Sequence, residues 1–400
     1  MMANKSDLRR QALDLAPALV ALRRELHEYP ELSHEESETA SRIARELDRL
    51  AIRYRSDVGG HGVVAELTGS QPGPIIALRA DMDALPIQEE TEIAFPSKRP
   101  GVMHACGHDA HTAMLIGAAE LLSACREQLQ GTVRLLFQPA EEVNAGAAAM
   151  IGDGALDGVS EIYGLHNLPN LPAGMAATRY GALMGSVDRI EITLEGRGGH
   201  GAIPDQSVDP IVCASAIIQS LQSVISREVS PFDPVVVTIG SIHAGEANNV
   251  IPHYCRMTGT VRTFHPDVQD KLPERIERIV QNIAEGYRCQ AALHYIRQTP
   301  VLMNHEEQVK FVESVIDDTI GSQHRITAQP TLAGEDFSIY LNDVPGCFFW
   351  LGSGPEEHAE QAYGLHHPKY WLNEDCLPYG ASLLATIART RLAQLAGGPL

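Results

Sequence analysis

The segment Met103-His104-Ala105-Cys106-Gly107-His108-Asp109-Ala110-His111 packs one thiol and three imidazoles into eight consecutive positions. Thiolate and imidazole are the ligands that borderline and soft divalent metals take. Cys106 and His108 stand two apart, and Gly107 between them frees the backbone to turn both toward one ion. A nearby cation would hold the thiol as thiolate. A second cluster, Gln138-Pro139-Ala140-Glu141-Glu142, follows the apolar run GTVRLLF. Two adjacent carboxylates there can divide the work, one holding metal and the other accepting a proton. Arg79-Ala80-Asp81-Met82-Asp83 follows another such run, Gly164-Leu165-His166-Asn167 a third, and Leu365-His366-His367-Pro368 lies far downstream.

These clusters need a scaffold that brings them together. Leu15, Leu19, Leu22 and Leu26 recur at helical spacing, which predicts a helix over about 8–28, and another is expected over 37–50. VVAEL (63–67), PIIALR (74–79), GTVRLLF (131–137) and EIYGL (161–165) read as strands, separated by helices at 109–124 and from near Glu142. Alternating strand and helix predicts an α/β fold, a mostly parallel sheet with helices on both faces. Ligand sites in such sheets lie at the carboxyl ends of the strands. Asp83, Glu141 and His166 each follow a strand, so one sheet edge is expected to receive all three.

The pattern changes near residue 185. SVDRIEITLEG (186–196) alternates apolar and polar, as a half-exposed antiparallel strand does. A helix at about 209–227, strands at 234–242 and 255–263, a helix at 268–286 and a strand at 291–296 complete a β-α-β-β-α-β order. The expected architecture is a discontinuous α/β domain, 1–186 with 299–400, carrying an inserted smaller α+β, ferredoxin-like domain at 187–298. After Pro300 the sequence predicts a helix near 305–320, strands near 325–329 and 347–351, and a last helix near 377–396.

Composition narrows the function. In 400 residues there are 31 Lys and Arg against 51 Asp and Glu, a formal charge of −20, which argues against nucleic acid or an anionic membrane surface as partner. No apolar run approaches the roughly 18 residues of a membrane span, and no secretory leader is recognisable. Seven cysteines without framework spacing fit reduced thiols, so a cytoplasmic location is expected.

The segments RADMDALPI, HACGHDAHT, QPAEE, GLHN, GHGAIP, NNVIP, AGEDFS and LHHP together resemble the co-catalytic metal-dependent amidohydrolases, the aminoacylase, carboxypeptidase and hippurate-hydrolase superfamily. The match is to the branch of hippurate hydrolase, N-acyl-amino-acid amidohydrolases and auxin-conjugate hydrolases. The resemblance implies two divalent metal ions per subunit (zinc, manganese, nickel or cobalt), with Cys106, His108, Glu142, His166 and His366 as ligands. It implies Glu141 as general base and Asp83 as the acid that orients a ligand. Asp81 falls where other branches carry a histidine ligand, and His367 stands beside His366, so both are open as metal contacts. The inserted domain, expected to act as lid and dimerisation module, offers His200 for the oxyanion, and Asn249 and Arg262 for the substrate carboxylate.

The function so implied is hydrolysis of N-acyl amino acids, small molecules, by a homodimer or homotetramer. A dipeptidase or carboxypeptidase could use the same metals. A non-catalytic metal-binding protein would have no need of Glu141 beside a ligand. A cysteine hydrolase using Cys106 as nucleophile would be indifferent to chelators.

Overall fold

The apolar runs flagged as strands assemble, in the computed structural model, into an eight-stranded sheet. Its order is Arg53–Val58, Gly62–Thr68, Gln130–Gln138, Gln71–Asp81, Val159–Pro172, Gly346–Gly354, Ala176–Thr178 and Arg325–Thr327. The structure describes residues 5–397. Gln71–Asp81 pairs in parallel with Gln130–Gln138 and with Val159–Pro172, which pairs in parallel with Gly346–Gly354. Arg53–Val58 and Gly62–Thr68 add an antiparallel margin. Side chains alternate across the central strands. Tyr163 and Leu165 join the main core with Leu19, Met114, Leu122, Val133 and Leu384. On the opposite side, the space above Gly164 is filled by Phe337 of the helix Phe337–Asp343. Helices therefore cover both faces, and near-continuous burial along the strands follows.

Register sets the functional edge. Asp81 lies opposite Gln138, and Arg79 lies opposite Gly164, two residues short of His166. The strand ends that deliver Asp83, Glu141 and His166 are thus level with one another. Two sequence expectations need correction. The segment expected to become helical near Glu142 is a tight turn instead, and the helix starts at Gly146. Ala140 and Asn144 take left-handed φ values of 53° and 56°, which no helix accommodates. A Cβ on Gly146 would come within 1.7 Å of the Pro139 carbonyl oxygen. His166, expected just past its strand, lies inside a strand that continues to Pro172 and pairs with Trp350.

The described residues fall into two compact units. One comprises residues 5–183, 303–329 and 336–397, and the other 184–302 with 330–335. In the second, four antiparallel strands stand in the order Val235–Ala244, Tyr254–Thr263, Val187–Glu195, Gln290–Thr299. The helices Pro210–Ser223 and Pro266–Gly286 cover one face. There Ile190, Ile192 and Leu194 meet Ile217, Leu221, Leu272 and Ile276.

A buried ion pair ties the last helix to the sheet. Arg391 donates to both carboxylate oxygens of Glu161, at 2.7 and 2.6 Å, and Gln308 donates to Glu161 at 2.8 Å. Burial pushes the Glu161 carboxyl up, but the hydrogen bonds from Arg391, Tyr163 and Gln308 outweigh it and hold the pKa below the usual carboxylate value. A depressed folded-state pKa means stability that is present above the unfolded value of about 4.3 and lost as pH falls further. Arg391→Met is expected to cost about 3–5 kcal/mol at neutral pH, because it leaves a buried charge unpaired. The deficit should shrink below about pH 4.3, where Glu161 protonates more readily in the mutant. Urea unfolding of both proteins at pH 7 and pH 4 measures it, and an equal deficit at both pH values would refute the assignment.

Candidate metal centre

The helix His108–Ala124 begins at the end of the HACGH segment. Apart from Glu120, Ser123 and Ala124 it is buried, so its first residues are fixed against the sheet rather than left at a surface. Gly107, with φ of 86°, makes the turn into it. A Cβ at that position would lie 2.3 Å from the Asn167 amide and 2.5 Å from the Tyr370 hydroxyl, so only glycine fits.

Around this turn the sequence-predicted residues of the larger unit converge. Cys106 Sγ lies 3.4 Å from His166 Nε2. His108 Nε2 stands 3.8 Å from Glu142 Oε1, and His366 Nε2 stands 3.4 Å from Glu142 Oε2. Ligand atoms fall within 4.8 Å of one another in three overlapping groups: Cys106, His108 and His166; Cys106, Glu142 and His366; and His108, Glu141 and Glu142. Asp83 does not compete for this space. It accepts the Nδ1–H of His108 at 3.2 Å, fixing the tautomer that turns Nε2 inward. The backbone carbonyl of Asn167 does the same for His166, accepting from Nδ1 at 2.8 Å. His366 sits at φ 64°, with its N–H bonded to the Ala105 carbonyl at 2.9 Å. This strained loop residue is thereby fastened to the HACGH turn. Its neighbour His367 instead stacks on Tyr363, ring centroids 4.4 Å apart, and accepts from the Lys369 N–H.

Asp81 lies with His111 and His108 in a fourth group. It is already engaged: Arg79 donates to it at 2.6 Å, and His111 Nδ1–H donates to its other oxygen. His111 was quoted in the sequence motif but given no role. Its Nε2 accepts from the Asn167 backbone and side-chain amides at 2.9 and 3.0 Å. Asn167 also donates to the Cys106 carbonyl at 2.6 Å and accepts from Tyr370 and Ser353 at 2.7 and 3.0 Å. The signal for His111 was its three-residue spacing from His108, which puts both on one helix face.

The donor set fits divalent cations. His108 Nε2 and Glu142 Oε1 are buried and have no hydrogen-bond partner among the described residues, a costly arrangement unless something polar satisfies both. Burial would strip the proton from His108, yet Asp81, Asp83 and Glu142 hold it and raise its pKa to about 10. Burial, and then the charges of Glu142, Glu141 and Asp81, keep the Cys106 thiol well above its ordinary value. Burial, with Asp83 and Asp81, pushes Glu142 up to about 7 against the opposing pull of His108. Acids crowded without enough cations, beside thiol and imidazole donors, are the environment a bound metal relieves.

The remaining predicted residues lie in the smaller unit. His200 pairs with Val250 across a two-residue ladder, and the Gly201 N–H donates to the Asn249 carbonyl at 2.8 Å, so His200 and Asn249 are neighbours there. Arg262 lies on Tyr254–Thr263 and donates from Nε to the Thr260 hydroxyl at 2.8 Å.

A mostly parallel sheet with helices on both faces, a four-stranded α+β unit and a thiol–imidazole–carboxylate cluster at the strand ends define a metallohydrolase class. Residues 77–390 match Peptidase family M20/M25/M40, and the chain belongs to that family and is one of its hydrolases. It is 45% identical over 372 residues to an N-acetylcysteine deacetylase of Bacillus subtilis, covering 92% of this chain and 96% of that one. It is 41% identical over 385 residues to the IAA-amino acid hydrolase ILR1-like 5 of Arabidopsis thaliana, covering 95% and 88%. A crystal structure of a Bacillus subtilis protein, described as a dinuclear metal binding peptidase from the M20 family, superposes with a TM-score of 0.83 at 39% identity. It covers 95% of this chain and 99% of that one. No helix among the described residues is long and apolar enough to cross a membrane.

Proposed function

We propose that this hydrolase cleaves the amide bond of N-acyl amino acids, N-acetyl or hippurate-like, releasing a carboxylic acid and a free amino acid. The observation that carries the reading is a second carboxylate, Glu141, within 4.8 Å of His108 and Glu142 in a cluster of metal-type donors. The names of the two relatives at 45% and 41% identity support the substrate class.

Cys106, His108, Glu142, His166 and His366 would hold two divalent ions, zinc, manganese, nickel or cobalt. Bound there, such ions supply Lewis acidity toward the scissile carbonyl and bring the pKa of a water toward about 7. Asp83 keeps His108 turned inward. Glu141 takes the proton of the attacking water and returns it to the leaving nitrogen. His200 donates to the oxygen on which negative charge develops. Asn249 and Arg262 receive the α-carboxylate, the arginine in the bidentate fashion that planar guanidinium favours. The same reading expects a cytoplasmic location and a homodimer or homotetramer, and light scattering on the purified chain checks the oligomeric state.

The test is a panel of N-acetyl, N-benzoyl and long-chain acyl amino acids beside dipeptides, on metal-reconstituted enzyme. Chelator-reversible turnover of the acyl amino acids supports the proposal. Preference for dipeptides would favour the peptidase alternative suggested by the family's name. Arg262→Ala should raise KM for carboxylate-bearing substrates by about 10–100-fold, the equivalent of one charge-assisted hydrogen bond. It should leave the corresponding C-terminal amides nearly unaffected, and an equal loss on both would remove Arg262 from the carboxylate site.

A further inference from the structure

Glu36 is a fully buried acid, 0% exposed, on a segment with no part in the chemistry above. Its Oε1 accepts the N–H of Ala140 at 2.8 Å. Ala140 is the residue before the proposed base, and its φ of 53° is one that an L-residue with a Cβ adopts only when its surroundings enforce it. On the other side of Glu141, Asp83 Oδ2 accepts the N–H of Glu142 at 3.0 Å. The residues flanking Glu141, Ala140 before it and Glu142 after it, are therefore each held through their N–H by a buried carboxyl. The turn 33–36 serves both grips. Ser33 donates to Asp83 Oδ2 at 2.7 Å, and Glu36 supplies the acceptor for Ala140, its Oε2 being buried without a hydrogen-bond partner among the described residues. His34 is itself left-handed, with φ of 70°. The left-handed Ala140 is thus tied through one side chain to a turn about a hundred positions away, and the turn at 140–146 is closed on itself by Ala145 and Gly146 N–H bonds to the Ala140 carbonyl.

We propose that Glu36 is a positioning residue: its carboxyl holds Ala140 in the left-handed conformation that aims Glu141 at the substrate and Glu142 at the metals. The inference rests on the assignment of Glu141 as base and Glu142 as ligand. What matters is an acceptor of the right reach, not the charge. Glutamine preserves that reach, and aspartate, one methylene shorter, withdraws it while keeping the carboxylate.

The experiment compares Glu36→Gln, Glu36→Asp and Glu36→Ala in the full chain, with Glu141→Gln as reference. kcat and KM are measured on an N-acetyl amino acid. Metal retention is measured by chelator competition and by the absorption spectrum of the Co²⁺-substituted protein. Outer-sphere partners of metal ligands typically carry 10–100-fold in affinity or activity. Glu36→Asp and Glu36→Ala are expected to lose kcat and metal retention by about that factor with KM little changed, and to shift the Co²⁺ spectrum. Glu36→Gln should recover most of both. If Glu36→Ala does not fold, the Asp and Gln pair decides. Wild-type kcat and spectrum in Glu36→Asp, or a loss in Glu36→Gln as large as in Glu36→Asp, overturns the proposal. Near-normal turnover in Glu141→Gln would instead overturn the assignment of the base, whatever the Glu36 variants do.

Discussion

Glu141→Gln is expected to lower kcat by about 10²–10⁴-fold, the range that a positioned general base supplies, while metal content and KM stay close to those of the wild type. The amide matches the carboxylate in size and keeps an oxygen toward His108 and Glu142, so the turn at 140–146 has no reason to refold. What it lacks is the basicity to take a proton from water and the acid form to return it to nitrogen. A loss confined to kcat identifies an interaction made in the transition state rather than in substrate binding. Glu141 is only 7% exposed, so bulk buffer is a poor substitute for it. Single-turnover kinetics with elemental analysis of the same preparation checks both halves. Near-normal rates with full metal would show that another group moves the proton. Lost metal would show that Glu141 is a ligand rather than a base.

Some of this was legible in the sequence because chemistry and local structure coincide there. Cys106 and His108 announce themselves by adjacency, and the strand preceding QPAEE points to a sheet edge without any tertiary information. The βαββαβ order of the smaller unit follows from periodicity, since its strands alternate apolar and polar while its helices repeat every three to four residues. The segment holding His366 was visible in the sequence, but its ligand role came only through the family resemblance, because a histidine in a loop carries no periodic signal. The rest depends on register and distance. Arg79 meets Asp336 at 3.0 Å across 257 residues of sequence, and Asn167 meets Cys106 across 61. Glu36 reaches Ala140 across 104. The helix expected near Glu142 fails for the same reason. Glu-Glu after a strand has good helical propensity, but a distant carboxyl, that of Glu36, holds the preceding residue in a left-handed conformation that no helix accommodates.

Cys106→Ala should produce the other large effect, and through metal content rather than rate. Its sulfur belongs to two of the ligand groups, one with His108 and His166 and one with Glu142 and His366. Its removal therefore subtracts a donor from both positions rather than emptying one. Serine cannot replace it, since a hydroxyl lacks the softness and the accessible anion that make a thiolate a ligand. The expected result is fewer than two ions per chain after dialysis, with turnover lost in parallel and secondary structure intact. Asp83→Asn separates this from a general loosening of the site. It leaves every proposed ligand in place, alters only the carboxylate that orients His108 and accepts the Glu142 N–H, and should weaken metal binding by about 10–100-fold. The order wild type, Asp83→Asn, Cys106→Ala in chelator resistance distinguishes a first donor from its support. Two tightly held ions in Cys106→Ala, by elemental analysis, would mean that the imidazoles and carboxylates bind metal without the thiol and that the buried sulfur has some other use.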